Sequence, residues 1–264
     1  MFHSGNPTLN DSTFDSPARW DDLAERERKA TTMTVMGTVN ATAILLGVCA
    51  SVAVLCWYFI TNNPSLVMPI WLGGMIGGLV LGLVISFKPK TAPFLSPIYA
   101  ALEGAFLAGF SYYVAAQWVP QPDGAVNTGI VFQAVGLTFA IFAGMLLGYW
   151  TGLIRIGPVV AKIMMTAAMG LVLYIVAMVL LNGVFGMGLP NLYSSASPMG
   201  IGFTAVCLGL ASLFLVLDFQ FIENGAKQNS PKYMEWYGAF GLMVTLVWIY
   251  VEVLRLLAKL RSSD

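Results

Sequence analysis

Two stretches decide how this chain must fold: S-L-F-L-V-L-D-F-Q-F-I-E at residues 212–223 and L-V-W-I-Y-V-E-V-L-R-L-L at residues 246–257. Each is apolar on every helical face apart from a few ionisable groups, the deepest being the carboxylates Asp218 and Glu252. A helix that is hydrophobic all round has no solvent face, so it belongs in a core or in a membrane. An ionisable group inside a membrane segment costs ~2.5–3.5 kcal/mol on insertion scales, so it normally faces a partner or a water path. Two such groups on consecutive segments make a candidate acidic pair.

The rest of the chain agrees with a membrane setting. Of 264 residues, 58% are hydrophobic and only 10% charged, against the roughly 25% charged of soluble domains. Seven apolar segments lie near 34–60, 68–87, 96–118, 129–153, 159–185, 199–222 and 236–258. Each is long enough to cross ~30 Å of hydrocarbon at ~1.5 Å per residue. No alternating pattern of a membrane barrel appears, so the expected fold is an all-α integral membrane protein with seven transmembrane helices. A polar tail at 1–33 precedes a seven-helix domain at 34–264. Ser16-Pro17 reads as a helix start within that tail, and the first apolar run is too long for the core of a signal peptide.

Charge sets an expected orientation. Arg19, Arg26, Arg28 and Lys29 lie in the tail, and Lys88, Lys90, Arg155, Lys162, Lys227 and Lys232 lie in or beside the connections after spans two, four and six. The alternate connections, 61–67, 119–128 and 186–198, hold no Lys or Arg. Positive-inside then puts the N-terminus in the cytoplasm. Seven crossings also place Arg255, Lys259 and Arg261 outside, against the same rule, unless the last helix stops short or buried packing overrides the bias.

Several classes of function are set aside. Zero net charge argues against nucleic-acid binding. The single histidine, His3, is in the tail, so no histidine triad or histidine zinc site is expected within the membrane. Cys49, Cys56 and Cys207 lack metal or disulfide spacing and read as small buried hydrophobes. No nucleophile–base pair or cofactor motif points to an enzyme, and no cofactor is expected. The glycines of span two, Gly73, Gly74, Gly77, Gly78 and Gly82, lack the strand that a nucleotide loop needs and read as two rows for close helix packing. Glu103, in Y-A-A-L-E-G-A-F, is a third membrane acid, weighed between a pore role and a packing role. Glu223 and Glu235 read as surface acids.

D-F-Q-F-I at 218–222 and I-Y-V-E-V-L-R-L-L at 249–257 resemble the elements that end the sixth helix and mark the seventh in the Bax inhibitor-1 (transmembrane Bax-inhibitor-motif) family. S-G-N-P-T-L-N at 4–10 and P-K-Y-M-E-W-Y-G-A-F-G-L at 231–242 resemble a bacterial branch of it. The resemblance implies a central seventh helix wrapped by the other six, in a bacterial inner membrane. It implies a pH-sensitive calcium leak controlled by Asp218 and Glu252, with Lys88 or Lys90 as a basic latch on Asp218 in the closed state. It also allows a non-conducting adaptor that binds other membrane proteins, such as a quality-control protease.

Two departures bear on that pairing. Glu stands where Asp is usual, and the connector between the two acids is long. The pair closes only if the seventh crossing begins around Gly241 and the residues before it form a separate element. Two carboxylates ~4 Å apart repel by ~4 kcal/mol at an effective dielectric of ~20, which favours one shared proton near neutral pH. With carbonyls and water they would make a weak calcium transit site, since calcium prefers six to eight oxygen ligands.

Overall fold

A computed structural model describes residues 31–119, 126–189 and 191–262. The expected tail helix after Ser16 lies outside these. Seven long helices follow in chain order: α1 (Val35–Asn62), α2 (Val67–Phe87), α3 (Ala92–Trp118), α4 (Thr128–Trp150), α5 (Pro158–Met178), α6 (Pro198–Lys227) and α7 (Met234–Ser262). All are long and apolar enough to cross a membrane.

Local chemistry sets the ends. Thr34, Asn127 and Ser197 cap α1, α4 and α6 by accepting the Gly37, Ile130 and Gly200 amides, and Pro158 and Pro198 stand at first helical positions. Gly152 closes α4 at φ 74°, a left-handed conformation that favours glycine. The α1–α2 and α2–α3 connections are single 3-10 turns, Pro64–Leu66 and Pro89–Thr91. The third crossing therefore begins well before residue 96, where its hydropathy first stands out.

α7 is the buried axis: 61% of its most apolar window is buried, against 6–39% for the other six crossings. It packs directly on α1, α3, α4 and α6. α2 lies against α3 and closes the bundle beside α7, while α5 stands outermost and leans on α6. α5 runs into a π-helical turn, Val179–Val184, before the loop that leads to α6.

One glycine row of α2 explains the α2–α3 contact. A Cβ on Gly74 would lie 2.7 Å from Leu102 O, and one on Gly109 of α3 would lie 2.7 Å from Trp71 Cβ. On the other row Gly73 faces open space, while Gly77 lies against the Leu102 side chain, 3.0 Å from where its Cβ would stand. The two backbones approach because only hydrogen stands between them.

The starts of the first and last helices are fastened together. Glu235, at the head of α7, accepts from Thr34 N (2.8 Å), Thr34 Oγ1 (2.7 Å) and Lys232 Nζ (2.9 Å). Expected as a surface acid, it is 5% exposed. Three charge-assisted hydrogen bonds account for its burial. The side on which α1 begins is called the tail side below, and the opposite side the far side.

Candidate functional site

The membrane acids fall into two groups at different depths. Near the tail side, a cavity of about 600 Å³ lies between α2, α3, α6 and α7. Glu103 of α3 and Asp218 of α6 both line it, with Ser86, Tyr99, Thr245 and Trp248 among the other walls. Thr245 Oγ1 donates to Asp218 Oδ2 at 2.6 Å. Tyr99, one turn from Glu103 on the same helix, faces the Glu103 carboxylate and packs edge-on against Phe240. Glycine makes room for Glu103: a Cβ at Gly78 would lie 2.9 Å from Glu103 Oε1.

Glu252 belongs to the second group, towards the far side. It is 0% exposed and takes both bonds from Arg255 Nη1, at 3.2 and 3.1 Å. Arg255 also donates to the Tyr193 carbonyl and lies over the Tyr193 ring. Lys259, also 0% exposed, donates to Leu192 O (3.0 Å), Gly200 O (3.0 Å) and Thr204 Oγ1 (2.9 Å). Tyr193 lies in the loop outside the spans, and burial pushes its phenol up to about 12, so it stays neutral. The loop is tied to α5 as well, because Tyr174 Oη accepts from Leu192 N at 3.1 Å. A second cavity, of about 430 Å³ between α1, α3, α4 and α7, is lined almost wholly by apolar side chains and by no Asp, Glu, Lys or Arg.

Three expectations are corrected by this geometry. Asp218 and Glu252 do not meet. α7 runs unbroken from Met234, so Glu252 stands seven residues beyond Thr245, about two turns or ~10 Å along the axis. The supposed calcium ligands Asp218 and Glu252 are therefore apart, and among the described residues no group of three or more His, Cys, Asp or Glu gathers for a metal. The latch is not made either. Lys88 and Lys90 are exposed, neither lies within 4 Å of a carboxylate among the described residues, and Asp218 bonds to Thr245 instead. Glu103, the third acid, is the one that shares a cavity with Asp218.

The seventh helix is long and apolar enough to cross in full, and two of its three terminal cations, Arg255 and Lys259, are buried on protein acceptors and do not face solvent. Arg261 reaches Gln133 on α4 at 2.7 Å. Glu223 takes hydrogen bonds from Tyr149 and Lys227, with Arg155 at 3.9 Å.

Six apolar crossings around a buried seventh that carries its own ion pair define a multi-pass, all-helical membrane protein. A family model described as Bax inhibitor 1 like matches residues 6–262. The chain belongs to that family. Neither a curated protein nor a solved structure gives a match.

Proposed function

We propose that the chain is a pH-sensitive cation leak of the membrane, with calcium as the ion passed and with Asp218 and Glu103 as its holding point. One observation carries this reading: two membrane carboxylates from different helices line a single cavity that also offers hydroxyl oxygens from Ser86 and Thr245. Hard cations take oxygen ligands, and two carboxylates with hydroxyls and water suit transit better than storage. Family membership supports the same reading through the expected calcium leak.

In this reading the closed barrier lies beyond the cavity, where Arg255 neutralises Glu252. Passage needs that pair to part or to swing aside. The sign of the pH response follows from charge. Ionised carboxylates attract calcium and protonated ones do not, so flux rises as pH rises through their titration. The loop charges support an N-terminus in the cytoplasm.

Calcium flux into dye-loaded vesicles holding the full chain tests this. Replacing Asp218→Asn together with Glu103→Gln should lower flux about tenfold or more and flatten its pH profile. Unchanged flux and an unchanged pH midpoint in that variant would sink the reading. So would flux equal to empty vesicles at every pH, which would leave the adaptor role standing.

A further inference from the structure

We propose that the α2–α3 turn is a docking site for anionic phospholipid headgroups of the leaflet on the tail side. Lys88 and Lys90 flank Pro89 on a stiff turn. Lys88 N donates to Val84 O at 2.9 Å, and Lys88 O accepts from Thr91 N at 2.9 Å and Thr91 Oγ1 at 2.8 Å. The backbone is held, yet both side chains are exposed, and among the described residues no carboxylate lies within 4 Å of either. Among the other described cations on that side, Arg155 and Lys227 are matched by Glu223 and Lys232 by Glu235. Lys162 on α5 stands exposed without a carboxylate within 4 Å among the described residues, and without two exposed rings flanking it on a tight turn.

Two rings frame the lysines. Phe87 is 82% exposed and Phe94 is 79% exposed, one before the turn and one just after it. Large rings so placed are unfavourable in water but sit well at the boundary between headgroups and acyl chains. Two ammonium groups without a counter-ion among the described residues, set between two bare rings, complement an anion whose charge lies at the membrane surface and whose body is apolar. A phospholipid phosphate meets both requirements. A free phosphate would meet the lysines and leave the rings in water. Lysine stems allow the fit, because they lie along apolar surface while the charge reaches the headgroups. This assignment holds whether or not the bundle conducts.

The test uses the full chain in phosphatidylcholine vesicles containing a minority of phosphatidylglycerol, with lipids that stay bound after extraction counted by native mass spectrometry. The parent should retain phosphatidylglycerol over phosphatidylcholine. Lys88→Gln with Lys90→Gln should lower that preference by about fivefold per lysine removed. Lys227→Gln, which removes a matched cation, should leave it unchanged, as should millimolar inorganic phosphate. Equal melting temperatures of the variants exclude misfolding as the cause. The proposal is overturned if the double variant keeps the preference, if inorganic phosphate abolishes it, or if a zero-length cross-linker joins Lys88 or Lys90 to a carboxylate in residues 1–30.

Discussion

Lys259 carries an ammonium group into the bundle with no carboxylate within 4 Å among the described residues, held by two main-chain carbonyls and one hydroxyl. Four residues earlier, Arg255 takes up the carboxylate that would otherwise be free. Removing one partner of a buried ion pair leaves the other uncompensated, so Glu252→Gln should cost about 3 kcal/mol of stability. The double change Glu252→Gln with Arg255→Met should cost less than the sum of the two single changes. Denaturant unfolding in detergent measures both, and additive losses would contradict the pairing. Some of this was legible in the sequence. Glu252 and Arg255 stand three apart on one helix, and that spacing alone names them as neighbours. The partners of Lys259 carry no sequence signature, because two of them are backbone carbonyls, one in a loop and one in the first turn of α6. Asp218 misled for a different reason: its neighbour is fixed by where α7 begins, and a hydropathy pattern does not locate the first turn of a helix that starts in polar residues. Glu235 looked like a surface acid because its partner Thr34 is 201 positions away.

At the scale of elements, the glycine rows of α2 make a sharp contrast. Gly74→Leu would drive a side chain into the α3 backbone, where overpacking costs about 1–3 kcal/mol or more. Gly73→Leu points into open space and should leave the melting temperature unchanged. Equal effects of the two would mean that α2 meets α3 through a different face. The spacing of these glycines announced close packing in advance, but Gly73 and Gly74 read alike until a neighbour was present to tell them apart. The crossings themselves were plain from hydropathy, since lipid accepts few alternatives to an apolar helix. Their ends were less plain. Pro89 and Pro231 sit in polar surroundings that conceal helices beginning within a few residues of them.

For the whole molecule, the distribution of cations predicts an orientation. Ser195→Cys, in the far-side loop, should react with a membrane-impermeant thiol reagent in intact cells, and Thr91→Cys, on the tail side, should react only after the membrane is opened. The reverse pattern would invert the topology and place the lipid-docking turn in the outer leaflet. Loop charge made this forecast available from sequence, whereas the sharing of one cavity by Glu103 and Asp218 required three-dimensional packing of four helices. The burial of Glu252, Arg255 and Lys259 on the final helix also bears on how the protein is made. A ribosome releases α7 after the other six helices, and on its own that segment would enter hydrocarbon bearing charges, with the acceptors of Lys259 on other parts of the chain. Its acceptors, Leu192, Gly200 and Thr204, belong to chain already synthesised. The most heavily charged of the seven spans is therefore received by a vestibule that its six predecessors have built, and a truncated gene ending before Met234 would leave that vestibule empty for quality control to find.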